Sequence, residues 1–432
     1  MAGDREASCL AILAGGGDLP LEVADRVVAA GRPVHVIAIR GEADSRIERF
    51  SHSWIKFGAF GQFLRTIKSQ RCGELVIIGK VSRPDLRNVR PDLGFVTHLP
   101  AMLQLMRGGD DALLTRAVRL LEAKGVTVRG AHEVAPDLVA SAGVIGRNEP
   151  DALHCAAIER GFALIRALGP YDVGQAAVVS GQNVIAIEAA EGTDRMLQRV
   201  AEMPRVGGDT HAVIVKCPKP GQELRVDMPV IGAQTVERAA AAGLAGIAVE
   251  SGTVILANRS QLRAAADAKD MFLVASRQPA TTTSARFAPH RANANRVLSR
   301  RRPGQQARRD IAFGTGLMDA ARPFGCGRAV ALFGGYVIAV EAGEGLEALI
   351  SRYRAHRPWG RLMFWRGSGV LVVDAGAPPN AGDPPAKIAA QVAAAGIGGV
   401  AIRGGAAMQA DFIEPCNRHG LFLVAVPARG HA

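Results

Sequence analysis

The last hundred residues of this chain repeat a stretch in its middle, and that repeat limits the folds open to it. The run Val184 to Gly192 (VIAIEAAEG) returns as Val337 to Gly345 (VIAVEAGEG). Ala242 to Val249 (AGLAGIAV) returns as Ala395 to Ile402 (AGIGGVAI), and Phe272 to Ala275 returns as Phe422 to Ala425. The offset is 153 residues over most of this length (341 − 188; 396 − 243). A repeat of about a hundred residues is the size of a domain, so one α/β fold is expected twice. The order of apolar runs divides the chain into an N-terminal Rossmann-like domain (1–135), a linker and helix (136–170), a second α/β domain (171–276), an arginine-rich linker (277–325) and a degenerate duplicate of the second domain (326–432). At 432 residues the chain has room for these cores.

The N-terminal part opens as a βαβ unit. Cys9 to Leu13 reads as a strand, Gly15, Gly16, Gly17 and Asp18 as a turn, and Leu21 to Val28 as a helix. A helix start after a glycine turn presents free N–H groups to phosphate, although a tight turn with no ligand reads the same way. Pro33 to Ile39 is the next strand. A further strand, Glu74 to Ile78, ends in Lys80, Ser82 and Arg83, at the edge where parallel sheets hold ligands. Asp110 and Asp111 open an amphipathic helix. They serve either as N-cap and dipole partners or as oxygen ligands for a dication. His132 and Glu133 follow the next short strand.

Between the repeats' shared elements lies a polar segment whose pattern the second copy does not keep, Lys216 to Pro229 (KCPKPGQELRVDMP). It leaves a buried strand, His211 to Val215, and leads into a helix read over Ile231 to Ala242. Three prolines stiffen it. Lys216, Lys219 and Arg225 share the segment with the carboxylate Asp227. The functional reading is a phosphate clamp around a catalytic carboxylate; the alternative is a solvated proline-rich loop. Carrying the 153-residue offset forward places Lys219 on Val372, Arg225 on Pro378 and Asp227 on Asn380, so the second copy lacks this chemistry.

Composition narrows the class. Hydrophobic residues make up 48% and charged residues 21%, with a formal charge of +12. That is globular, with an excess of positive charge suited to an anionic partner. The six cysteines have no CxxC and no metal-like spacing, as expected of a reduced cytosolic compartment. No apolar run reaches the roughly 18 residues of a spanning helix. Arg277 to Arg309 holds nine arginines and no acidic residue. It reads as a disordered basic segment, inert or making transient contact with a membrane or RNA.

Taken together, the motifs around Gly15–Pro20, Gly79–Asp85, Gly109–Leu114, Gly130–Val134, Asp172–Gln175, Glu191–Asp194 and Lys216–Pro229 resemble the LpxI family of UDP-2,3-diacylglucosamine pyrophosphatases of lipid A biosynthesis. The resemblance covers about the first 275 residues. It implies hydrolysis of UDP-2,3-diacylglucosamine to UMP and 2,3-diacylglucosamine 1-phosphate, with a divalent cation such as Mg²⁺, at a site between two domains. It implies that Asp227 is the catalytic carboxylate, with Lys216, Lys219 and Arg225 on the diphosphate. Substrate contacts are expected at Gly15, Gly16, Gly17, Asp18, Lys80, Ser82, Arg83, His132, Gln175 and Thr193. Metal ligands are sought among Asp227, Asp110, Asp111, Glu133, Glu191 and Asp194, although Thr193 and Asp194 also suit a helix cap. The implied setting is cytoplasmic and peripheral to the inner face of the membrane, with a lipid-linked UDP-sugar as substrate. No specific nucleic-acid partner is implied, and a homodimer is compatible. Two other classes remain at this stage: a nucleotide-dependent oxidoreductase on the first βαβ unit, disfavoured by the incomplete glycine fingerprint, and a nucleic-acid-binding scaffold through the arginine-rich segment.

Overall fold

The computed structural model describes residues 9–81, 110–203, 211–278, 295–356, 369–376 and 383–428. Its first sheet comprises β1 (Leu10–Ala14), β2 (Val34–Ile39), β3 (His52–Ile55), β4 (Glu74–Ile78) and β5 (Thr127–Arg129), in the order β3-β2-β1-β4-β5. Every pairing in it is parallel. The order reverses between β1 and β4, and in a doubly wound sheet ligands bind outside the carboxyl ends at that point. The helix α1 (Leu19–Ala29) follows β1 directly, with Pro20 in its first turn, where the missing N–H costs no bond.

The second sheet has six strands: β6 (Gly143–Val144), β7 (Ala176–Ser180), β8 (Asn183–Ile187), β9 (Ala212–Lys216), β11 (Gly246–Glu250) and β13 (Phe272–Ser276). Their order is β6-β13-β11-β9-β7-β8, and β10 (Val230–Ile231) and β12 (Ile255–Leu256) form a separate short parallel pair. The third sheet has β14 (Arg296–Val297), β15 (Ala329–Phe333), β16 (Tyr336–Val340), β17 (Gly369–Asp374), β18 (Ile397–Arg403) and β19 (Phe422–Val426), in the matching order β14-β19-β18-β17-β15-β16. The helix Ala152–Leu168 packs on β7 and β9, and the helix Gln305–Ala321 packs on β15 and β17. These two helices pack on each other, so one apolar core runs through both copies.

This arrangement moves several expected boundaries. The segment 136–170 is more than a linker. Gly143–Val144 adds a strand to the second sheet, and Ala157, Phe162 and Ile165 of the following helix are buried in its core. The arginine-rich segment is likewise not disordered along its whole length. From residue 295 it contributes β14 and then a helix whose Ile311, Leu317 and Met318 are buried. The arginines lie on the outer side of these elements, which is why a charge count alone misreads them: Arg301 is exposed and bonds the carbonyl of Gly420. Residues 279–294 lie outside the description.

The sheet register also corrects the match between copies. Lys216 pairs with Ala176, and Val373 pairs with Ala329. Gly161 meets the side chain of Val215 and Gly314 meets that of Val372. Lys216 therefore corresponds to Val373, four places beyond the constant offset. Lys219 then falls on Gly376 rather than Val372. The helices that follow return to the original offset, so the loop after this strand is four residues shorter in the second copy. The positions expected to match Arg225 and Asp227 fall among residues 377–382, outside the described residues.

Candidate active site

A cleft of about 760 Å³ separates the carboxyl edge of the first sheet from the 216–234 segment of the second domain. On one wall stand Gly16, Gly17 and Asp18 after β1, and Gly79 and Lys80 after β4. The two turns are zipped by backbone bonds, Gly16 N to the Lys80 carbonyl at 2.6 Å and Lys80 N to the Gly16 carbonyl at 2.9 Å. Gly15 makes this approach possible, because a Cβ there would lie 2.5 Å from the Lys80 oxygen. Gly17 has φ of +91° and faces open space.

The opposite wall is the proline-rich loop. Gly221, at φ of +83°, turns the chain after Pro220. Gln222 N bonds the Lys219 carbonyl at 3.1 Å, and Asp227 N bonds the Glu223 carbonyl at 3.0 Å. Met228 and Leu224 pack into the apolar core of the first domain, so the loop is held from both sides. Asp227 lines the cleft, and its Oδ2 accepts Gln222 Nε2 at 2.6 Å and Gln175 Nε2 at 3.3 Å. A carboxylate fixed by two side-chain amides keeps its second oxygen directed by the first, as a general base or metal ligand requires.

Lys216, at the end of β9, is buried and lines the same cleft. Its Nζ donates to Thr193 Oγ1 and to the Val230 carbonyl, both at 3.0 Å. The Thr193 hydroxyl in turn bonds Glu188, which also accepts Gln175 N at 3.2 Å. Burial lowers the Lys216 pKa and raises that of Glu188, while each charge opposes the effect on the other. A buried lysine held by the Thr193 hydroxyl and a main-chain carbonyl is a fixed positive site, suited to an oxyanion.

The other expected residues divide. Gln175, Thr193, Asp194, Glu191, Arg225 and Lys80 all line the cleft. Arg225, however, is engaged by Glu223 and Glu122, both at 2.7 Å, which turns its guanidinium to the edge. Asp194 meets Lys80 at 3.7 Å across the cleft and pairs with Arg238. Lys219 is buried outside the cleft lining, in an ion pair with Asp172, and there it braces the loop. Glu133 caps Gly130 N at 2.7 Å and pairs with Arg129, and His132 sits beside it, also outside the cleft lining. The Glu191 carboxylate is only 1% exposed and points away from the cleft into two arginines. Ser82 and Arg83 lie outside the described residues, as do the side chains of Asp110 and Asp111, which open the helix Asp110–Glu122.

Glu188 and Gln222 were not anticipated as site residues. Glu188 had a signal: an acid closing an apolar strand, kept as Glu341 in the repeat. Gln222 had none, because its role depends on how the loop folds.

The match to known families decides the affiliation. The LpxI N-terminal domain model matches residues 9–138, and the LpxI C-terminal domain model matches twice, over 141–274 and 294–424. This chain belongs to the LpxI family. The UDP-2,3-diacylglucosamine pyrophosphatase LpxI of Caulobacter vibrioides is 40% identical over 269 residues, which is 61% of this chain and 96% of that protein. The LpxI domains therefore account for both walls of the cleft, and the second C-terminal match covers the third sheet.

Proposed function

We propose that this chain is a UDP-2,3-diacylglucosamine pyrophosphatase that releases UMP and 2,3-diacylglucosamine 1-phosphate. The observation that carries the reading is the placement of Asp227, held by two amides, across one cleft from a glycine turn and beside the buried Lys216. In the reaction, water adds to one phosphorus and the bridging P–O bond breaks. The enzyme's task is to position the diphosphate and neutralise its charge. Lys216 and Lys80 neutralise phosphate oxygens. The backbone N–H groups at the start of α1 receive a phosphate or sugar oxygen. Asp227 orients the attacking water and takes up its proton.

The donor set suits a hard dication. Asp227 offers a carboxylate oxygen at the cleft, and Asp194, whose Oδ2 pairs with Arg238 and Lys80, has its other oxygen to offer, with water and phosphate oxygens completing the set, which is how Mg²⁺ is usually held. Mg²⁺ would supply charge neutralisation at the diphosphate. Glu133 and Glu191 do not suit the role, because their carboxylates are committed elsewhere.

The second C-terminal copy is a degenerate duplicate in this reading. Arg328, Leu346 and Val373 stand where the first copy has Gln175, Thr193 and Lys216. Its loop is also shorter, so one chain has one working site. No helix among the described residues is long and apolar enough to cross a membrane. Peripheral contact with the inner leaflet, favoured by the basic surface, brings the enzyme to its lipid substrate.

The test is UMP release from UDP-2,3-diacylglucosamine by the full chain, with Mg²⁺ and with EDTA. Release that EDTA abolishes and Mg²⁺ restores supports the reading. Absence of release with any divalent cation contradicts it.

A further inference from the structure

The two C-terminal copies meet through a self-complementary ion network. Glu191 and Arg199 of the first copy correspond to Glu344 and Arg352 of the second. Arg199 binds its own copy's Glu191 at 2.8 Å, and Arg352 binds Glu344 in the same manner. Each arginine also crosses over: Arg352 reaches Glu191 at 3.0 Å, and Arg199 reaches Glu344 at 3.6 Å. Each bonds the matching carbonyl as well, Ile187 for Arg199 and Val340 for Arg352. The rings follow the same rule. Tyr171 packs edge-on against Phe313, and at the corresponding positions Phe324 lies under Arg160. Contacts in which i meets j and j meets i are those of a two-fold dimer interface, here closed within one chain.

The network acts differently on its two sides. Glu191 opens the Glu191–Asp194 turn, in which Thr193 links Lys216 to Glu188 and Asp194 lies at the cleft. The matching turn of the second copy carries Leu346 and Glu347 and serves no cleft chemistry in our reading. A carboxylate 1% exposed needs its charge matched in place, and Arg352 supplies half of that match from outside the first copy.

We propose that the second copy has a working role as a built-in partner, and that Arg352 is a positioning residue for the active site of the first. It acts through Glu191 on the turn carrying Thr193 and Asp194. The activity side of this proposal rests on the pyrophosphatase reading; the structural side does not.

The experiment compares Arg352→Gln, Arg352→Lys and Arg403→Gln in the full chain. Arg403 is a control for stability alone, being a buried arginine of the second copy that pairs with Asp319 and Asp374. UMP release is measured with Mg²⁺, alongside thermal melting and amide exchange across 191–194. Arg352→Gln is expected to lower kcat by on the order of ten- to a hundredfold, with a smaller change in KM and faster exchange in the turn. Arg352→Lys should recover part of kcat. Arg403→Gln should lose melting temperature while keeping kcat within about twofold, because Arg403 pairs with Asp319 and Asp374 rather than with Glu191. The proposal is overturned if Arg352→Gln keeps wild-type kcat, or if both Gln variants lose activity alike with unchanged exchange in the turn. If the wild type releases no UMP, the pyrophosphatase reading fails separately, and exchange at 191–194 alone decides the contact.

Discussion

Gln222 holds Asp227 at two points, its Nε2 donating to the carboxylate at 2.6 Å and to the main-chain carbonyl of the same residue at 2.5 Å. The catalytic candidate is therefore fixed by a neighbour five residues earlier on the same loop, with Gln175, the residue before β7, as the second support. Gln222→Ala removes the shorter of the two side-chain amide contacts and keeps the 3.3 Å contact from Gln175. We expect kcat to fall by on the order of tenfold or more, as is common when a positioning contact is lost. Gln222→Glu sets one carboxylate against another and should cost more. Steady-state UMP release by the two variants checks the order.

Gly15 and Gly17 differ in what limits them. A methyl at Gly15 meets the Lys80 carbonyl and forces β1 and β4 apart at the cleft, whereas at Gly17 it meets nothing and only the left-handed backbone resists. Gly17→Ala should cost about 1–2 kcal/mol of stability with activity largely kept. Gly15→Ala should cost activity first. Melting curves and UMP release on both variants separate these effects.

Lys216 and Glu188 are coupled through the Thr193 hydroxyl at the wall of the cleft. Lys216→Met takes the donor from the Thr193 hydroxyl and the Val230 carbonyl and the nearby positive charge from Glu188, at an expected cost of about 1–3 kcal/mol. Adding Glu188→Gln should return most of that stability without restoring turnover. Denaturant unfolding of the single and double variants measures the coupling; purely additive losses would contradict it.

The second copy shows what happens without the lysine. Glu341 is buried, its Oε1 accepts Gly343 N at 2.8 Å, and Val373 stands where the first copy has Lys216. Burial, then Glu344, raise its pKa, with Arg328 opposing. The folded state thus holds this proton more tightly than the unfolded chain, whose value is near 4.5. The sign follows: stability is greatest below the unfolded value and declines as pH rises toward the folded one. Glu341→Gln should match the wild type at pH 4 and melt above it at pH 8, where the wild type bears the cost of a buried charge. Melting temperature against pH for both proteins is the check; a constant difference would contradict it.

Much of this architecture was legible in the sequence. The β1–α1 glycine turn, the strand ending at Ile78 and the 152–168 helix follow from local periodicity, and the repeat announced a second copy of the fold. The Lys216–Pro229 segment stood out because its residue types suit nothing but a loop with chemistry or a solvated one. The structure divides its cations according to contacts that only the fold creates. Lys219 finds Asp172, 47 residues away, and Arg225 finds Glu122, 103 residues away. Lys216 keeps its place because strand alternation put it at a sheet edge facing the cleft. In the arginine-rich segment the exposed charges mask an apolar periodicity, Ala307, Ile311, Leu317 and Met318, that buries one face of a helix.

The most direct test of the account is Asp227→Asn in the full chain. The substitution keeps the size of the side chain while removing the charge and the base. We predict a protein that folds as the wild type by circular dichroism and releases UMP from UDP-2,3-diacylglucosamine at least about a hundredfold more slowly, the scale expected when a general base is lost. Turnover within a few-fold of the wild type would contradict the assignment of this cleft as the active site.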